Sequence, residues 1–278
     1  MNGGPIYNWQ QPEWPEFRFD LREVEGLLLA FAEETGIVSG MLQTLSGSVQ
    51  MEAIIEVMVA EAVKTSEIEG EYLSRPDVVS SIRHHLGIEA SHRGRDKKAL
   101  GVGRLMVDLR NSFAEPLNAE KLFEWHRMLM ADTRNMTIGQ WRFHDKPMQV
   151  VSGALGKERV HFEAPPSAKV PMEMERFLLW FNETAPGGKR EMKNAPLRSA
   201  IAHLYFETIH PFEDGNGRIG RAIAEKALSQ TLGRPVLLSL SRTIEVNRKA
   251  YYQSLEKAQR SNEITEWIGY FAGVALDA

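Results

Sequence analysis

The sequence predicts an all-α protein carrying one small β-hairpin, and three observations lead there. Apolar residues recur at three- and four-residue intervals in one segment after another, the signature of helices with a buried stripe. A single segment, residues 146–162, breaks that rhythm. There Met148, Val150 and Val151 precede Ser152, Gly153 and Gly156, and Val160 and Phe162 follow, as expected for two strands around a glycine-containing turn. No internal repeat or low-complexity tract points to another architecture.

In chain order, residues 1–20 are rich in proline and rings (Pro5, Tyr7, Trp9, Pro12, Trp14, Pro15, Phe17, Phe19) and read as an extended arm that packs its aromatics on a helical body. Helical spacing follows over 21–32 and 49–65, where Ile54, Ile55, Met58, Val59, Ala62 and Val63 form one stripe. The second helix runs into Thr65-Ser-Glu-Ile-Glu-Gly-Glu71, with Gly70 as a C-cap and three carboxylates in five residues. Acidic groups at a helix C-terminus face the negative end of its dipole, so this segment calls for cations. Residues 87–103 are polar and basic (His92, Arg93, Arg95, Lys97, Lys98), a domain boundary or solvated loop leading into a connecting helix. Its histidines, with His84 and His85, lack metal-ligand spacing. Residues 116–130 are a helix with Leu117, Leu122, Trp125, His126 and Leu129 inward, His126 being a satisfied core histidine. Gly187-Gly188-Lys189 lacks P-loop spacing and is a turn. A helix spans 196–208, capped by Asn194, and another begins near Ile219 and stops at Gly233 and Pro235. Single helices are expected over 239–258 and 264–276, the last with Trp267, Ile268, Phe271 and Val274 packed on the body or on a second subunit.

At 278 residues and 43 % hydrophobic composition the chain can bury a sizeable core. A net charge of -4 provides no broad basic field, so nucleic acid is not expected as the main partner. The absence of cysteine excludes disulfides and thiolate metal sites and fits a reducing compartment. Without a signal-like N-terminus or a run of about eighteen apolar residues, a cytoplasmic protein with no membrane association is expected.

The chemistry concentrates in His210-Pro-Phe-Glu-Asp-Gly-Asn-Gly-Arg-Ile-Gly-Arg221. Pro211 pushes His210 out of the α region, so the incoming helix ends there. Gly215 and Gly217 let backbone N–H groups approach a ligand, and the helix that follows aims its positive end into the loop, an anion site. Arg218 and Arg221 share a face and can each fork onto phosphate oxygens; Arg221 is expected on the exposed face. Asp214 is a hard oxygen ligand suited to Mg²⁺ between itself and substrate phosphates. His210, with an ordinary pKa of roughly 6.5, suits a general base. Base, metal ligand and anion nest together are what in-line attack on phosphorus requires. A dinucleotide fingerprint over 215–220 is excluded, because a helix rather than a strand precedes it.

This stretch resembles the signature of the Fic (filamentation-induced) family, His-Pro-Phe-x-Asp/Glu-Gly-Asn-Gly-Arg-x-x-Arg, matched at every defined position. The resemblance implies an all-helical core that transfers AMP from ATP to a Ser, Thr or Tyr hydroxyl of a target protein, self-modification included. It makes His210 the base, Asp214 the Mg²⁺ ligand, Gly215, Asn216 and Gly217 the anion hole with Asn216 orienting phosphate, and Arg218 and Arg221 the clamp on the outer phosphates. Thr65-x-x-x-Glu69-Gly70 resembles the family's inhibitory motif, so Glu69 is expected to pair with Arg221. The segment after Gly139-x-Trp-Arg142, with Met148, Gln149, Val150 and Val151, is similar to the flap that registers the target. The first ninety residues resemble a domain of unassigned function found ahead of Fic cores. The expected organisation is an N-terminal helical region over 1–90, a connecting helix over 91–115, a Fic core over 116–258 and a C-terminal helix over 259–278. A homodimer is compatible with it. Relatives are implied to include enzymes that remove AMP or transfer UMP, phosphate or phosphocholine, and a nucleotide-binding module without turnover is a separate alternative.

Overall fold

A computed structural model describes residues 7–89, 94–134, 136–152 and 159–278. Five helices come first: α1 Glu25–Gln43, α2 Gly47–Ile68, α3 Arg75–His85, α4 Lys97–Asn111 and α5 Ala119–Leu129. Strands β1 Gln149–Ser152 and β2 Arg159–Glu163 follow, then α6 Val170–Glu183, α7 Ala195–Ile209, α8 Asn216–Leu232, α9 Leu240–Val246, α10 Arg248–Ala258 and α11 Thr265–Leu276. Among the described residues the two strands form the sole sheet, antiparallel, with Val150 opposite Phe162, Val151 opposite Val160 and a bulge between Val150 and Val151. The all-α class with one hairpin is therefore the observed one. Pro5, His92, Arg93, Gly153 and Gly156, singled out above, lie outside the described residues.

The fold is built around α7, every residue of which is buried. A helix buried on all sides must be wrapped by others, and two cores do this. On one side α2, α4, α5, α6 and α8 meet through Ile55, Leu105, Trp125, Phe177, Tyr205 and Ile223. On the other, α1 and α9–α11 pack through Phe31, Ile244, Leu255, Trp267 and Phe271 against Ile201 and Leu204. The apolar face of α11 is thus spent on the body, where Trp267 Nε1 also donates to Ala200 O at 2.8 Å. The arm docks its rings as expected: Trp14 meets Tyr205 edge-on at 5.1 Å, and Tyr7 meets Phe162 at 5.0 Å.

Several expectations need correction. The first helix starts after a 3-10 turn at Leu21–Glu23 and runs eleven residues beyond 32, to Gln43. Helix α3 was not anticipated; it is started by Ser74 Oγ on the Asp77 N–H and by Pro76 in the first turn, but carries few apolar residues to betray it. The polar stretch expected as a boundary or solvated loop as far as 103 is helical from Lys97, where α4 begins, and Ala99 and Val102 there are buried in the main core with Leu105, Met106 and Leu109. The expected single helix over 239–258 is two, broken at Asn247 (φ -133°, ψ 55°), whose side chain caps α10 at Ala250 N.

Candidate active site

Helices α7 and α8 form a hairpin whose connecting loop is the His-Pro-Phe stretch. His210 ends α7 in the left-handed region, φ 50° and ψ 60°, and is the one non-glycine residue at positive φ among the described residues. Such a conformation costs roughly 1–3 kcal/mol, so it persists only where neighbours enforce it. Pro211 closes the α region to the residue before it. Arg142, 2 % exposed, does the rest. Its Nε donates to His210 O at 2.8 Å and its Nη2 to Ile209 O at 3.2 Å and Pro165 O at 2.5 Å, while its backbone N–H donates to Pro211 O at 2.9 Å. Burial lowers the Arg142 pKa to about 10, which leaves it charged at neutral pH. The spacing Gly139-x-Trp-Arg142 marks where the hairpin begins but carries no sign that Arg142 is a site residue, because its partners lie far along the chain.

The loop is pinned from below by Phe212, fully buried, which stacks on His126 at 4.2 Å and leans on Trp141 at 5.1 Å. His126 is the satisfied core histidine expected: it accepts from Gly139 N at 2.9 Å through Nδ1, and its Nε2 donates to Asp214 O at 3.2 Å. Burial lowers its pKa to about 4, against the pull of Asp214, so it is neutral. Asn216 departs from its expected role. Its Oδ1 accepts from Phe212 N and its Nδ2 donates to Phe212 O, both at 2.9 Å, so the amide clips the loop shut instead of presenting itself to phosphate. Asp214 is 62 % exposed at its side chain and uses Oδ1 on the Gly215 N–H at 2.6 Å. No cluster of three or more metal-ligating side chains exists among the described residues. A single exposed carboxylate beside an anion site does fit Mg²⁺ completed by substrate phosphates.

At the start of α8, Gly215 adopts φ 81°. The first turn of α8 is already faced by a carboxylate: a Cβ on Gly217 would stand 2.2 Å from Glu69 Oε1, so a side chain there would displace the carboxylate. Glu69 is the C-cap of α2, ended by Gly70 at φ 79°, and the Glu71 N–H returns to Ser66 O at 2.9 Å. Glu69 exchanges the unfavourable end of its own helix dipole for the favourable N-terminus of α8.

Thr65 and Glu69 converge on Arg221, while Gly70 ends the helix that carries them. Arg221 Nη2 donates to Glu69 Oε1 at 2.7 Å and to Thr65 O at 3.0 Å, and Nε donates to Thr65 Oγ1 at 2.8 Å. Burial opposes the charge of Arg221, but Glu69 together with Tyr251 and Tyr252 outweighs it and the net pKa is raised. The expectation of an exposed Arg221 is corrected: it is 1 % exposed, because the end of α2 lies across the first turns of α8. Arg218, 5 % exposed, is held the same way by Glu71, which also binds Lys98 at 2.7 Å. The cations called for by the acidic segment are these. Glu71 as a partner of Arg218 was not foreseen.

His210 is largely buried, its side chain 16 % exposed. Burial, then Arg142, lowers its pKa to about 4, opposed by Glu207, Glu69 and Asp214, so the ring is a neutral imidazole. The hairpin is rooted beside it. Arg142 Nη1 donates to Ser167 Oγ at 2.9 Å, and Ser167 donates to His144 O at 2.7 Å, tying both stems of the hairpin to the loop. The outer side of β2 is covered by Trp9 Nε1 on Glu163 O at 2.7 Å and Arg260 Nη2 on His161 O at 2.9 Å. The edge carrying Gln149, Val150 and Val151 has no third strand beside it among the described residues, and Met148 O accepts from Ala164 N at 2.9 Å.

Comparison with known proteins places this geometry. Residues 116–228 match the Fic/DOC family, and residues 7–88 match a domain of unknown function, DUF4172. Proteins named protein adenylyltransferase Fic are similar: that of Drosophila grimshawi at 23 % identity over 74 % of this chain, and that of Nematostella vectensis at 22 % over 82 %. The chain spans only 38 % of the first and 49 % of the second. Two solved structures share the fold. A Fic family protein from Desulfovibrio desulfuricans has a TM-score of 0.64 at 24 % identity over 91 % of this chain and 72 % of its own. Fic-1 from C. elegans has a TM-score of 0.60 at 19 % identity over 92 % of this chain and 72 % of its own.

Proposed function

We propose, on the premise that this is a protein with a Fic/DOC domain over residues 116–228, that it transfers AMP from ATP to a hydroxyl side chain of a target protein and is held back by Glu69. The observation that carries the first part is the neutral His210, fixed in the left-handed region within one loop of an anion site with two buried arginines. His210 takes the proton of a target Ser, Thr or Tyr; the hydroxyl oxygen bonds to the α-phosphorus; the bond from that phosphorus to the bridging oxygen breaks and pyrophosphate leaves. Asp214 would hold Mg²⁺, which supplies charge neutralisation on the phosphates. Arg218 and Arg221 are suited to the outer phosphates and Gly215 to Gly217 to the backbone contacts. The β1 edge at Gln149 to Val151 is suited to pair with an extended segment of the target.

The restraint rests on charge and space. The Glu69 carboxylate occupies the α8 N-terminus and engages Arg221, so a γ-phosphate arriving there meets a like charge and a cation already spent. Nucleotide held without that clamp leaves its α-phosphorus misaligned for in-line attack. The test is incubation with α-labelled and γ-labelled ATP in parallel, followed by intact-mass measurement. The expected result is label from the α-position only and a mass gain of AMP. Label from the γ-position, or bound nucleotide with no covalent product, would replace this reading with phosphate transfer or a binding module.

A further inference from the structure

We infer that the buried carboxylate of Glu207 is the positioning residue of His210, holding the ring through Nδ1 so that Nε2 faces the substrate as the base; this rests on the reading of His210 as the base. Glu207 lies one helical turn before His210 on α7, and its Oε2 is 3.7 Å from His210 Nδ1. The two are drawn together by the left-handed turn that ends α7, which folds the His210 ring back over its own helix. On the histidine side of that gap Nδ1 is shut off from water and left without a hydrogen-bond partner, as are the other carboxylate oxygen, Glu207 Oε1 turned toward Gly220, and Arg221 Nη1. Unpaired buried polar atoms are costly, so a group of them beside the base calls for an explanation.

Helix α8 is shaped to admit this carboxylate. A Cβ on Gly220 would stand 2.3 Å from Glu207 Oε1, so the glycine, an undefined position of the motif, clears the space. The Glu207 main-chain carbonyl is the competing acceptor: it takes Gln259 Nε2 at 3.2 Å and also acts on the His210 ring, raising its pKa, so the Glu207 carboxyl has to outcompete it for Nδ1.

The consequence is a tautomer choice. Burial pushes the Glu207 carboxyl up to about 8, with Arg221 pulling it down and Glu69 pushing it up. The groups facing it are His203 and His210 on α7, Arg221 on α8, Glu69 on α2 and Tyr251 and Tyr252 on α10. While the carboxyl keeps its proton, it donates to Nδ1 and the hydrogen stays on Nε2, which is then no base. Once ionised, it accepts from Nδ1–H and Nε2 is free.

Two measurements test this on the full chain. With ¹⁵N-histidine, the His210 ring signals, identified by their loss in His210→Ala, should move from the Nε2–H to the Nδ1–H form as pH rises from 6.5 to 9. Glu207→Ala and Glu207→Gln should abolish that change. In the transfer assay, Glu207→Ala should lower kcat on the order of 10- to 100-fold with KM for ATP held within about twofold, and flatten the rise of kcat toward pH 8. Gly220→Ala favours the helix yet displaces the carboxylate, so it should reproduce the kcat loss in a chain that melts no lower than the parent. If the His210 tautomer followed pH identically in parent and Glu207→Ala, the proposal would be wrong and Glu207 only a counter-charge for Arg221. A chain that transfers no AMP would sink the adenylylation reading, while the ring signals would still decide Glu207.

Discussion

His210, Asp214 and Arg221 were placed in one loop by sequence spacing, and each now has an environment that defines what its removal should do. His210 is neutral and its backbone is fixed by Arg142, so His210→Ala deletes the base without loosening the anion site. Transfer should fall by at least about 10²-fold while nucleotide affinity, measured by calorimetry, stays within a few-fold. Asp214→Ala should lose activity together with its Mg²⁺ dependence. Parental transfer by His210→Ala would exclude the base. These residues were legible because they are consecutive, so their spacing already encodes their geometry. Arg142 and Glu207 were not, because what makes them matter is contact: Arg142 reaches a loop 68 residues away. Glu207 reads in the sequence as one more helical residue.

At the scale of elements, the hairpin and the α7–α8 pair were readable from rhythm and turn residues, whereas α3 and the break at Asn247 were not. The missing signal in α3 is physical: it buries only Val78, Ser81 and Ile82, too little to stand out from a polar helix. At Asn247 apolar spacing continues across the break, and only the cap on Ala250 N marks it. The burial of Arg221 was equally hidden, since it depends on where α2 ends in space. The hairpin gives a prediction of its own. The outer edge of β2 is already used by Trp9 and Arg260, so target pairing falls to β1. Val150→Pro or Val151→Pro should cut modification of a protein target while leaving ATP binding intact, because proline removes a ladder donor. Equal labelling of target by parent and both variants would demote the edge to decoration.

At the scale of the whole molecule, the N-terminal helices and the Fic/DOC segment are joined through one core, with Ile55, Leu105 and Ile223 in the same cluster. The same core packs the end of α2 against α8, so the proposed restraint by Glu69 and the His210 loop rest on one support. Its buried ionisable groups give a pH signature. His126 and His210 have pKa values lowered to about 4 and His203 to about 3, each against an ordinary value of 6.5. A depressed histidine binds fewer protons folded than unfolded between those values, so its contribution is present above about 6.5 and lost as pH falls toward 4. Glu207 and Glu225, both raised, act oppositely, their contribution declining as pH rises from 4.5. Three histidines outnumber two carboxyls, so urea midpoints should fall as pH is lowered from 6.5 to 4.5; a midpoint that rose instead would mean these rings are protonated in the fold.

The central claim, AMP transfer restrained by Glu69, joins all three scales. Glu69 fills the α8 N-terminus, binds Arg221 at 2.7 Å and ends the helix that belongs to the shared core. Removing it should raise activity, where most changes at a site lower it. The deciding measurement is the rate of AMP incorporation from α-labelled ATP, read by intact mass on the chain and on an added protein substrate, for parent and Glu69→Gly side by side. We expect Glu69→Gly to be faster by an order of magnitude or more, with His210→Ala in the same background silent. Equal rates in parent and Glu69→Gly, or no AMP on protein from either, would contradict the account.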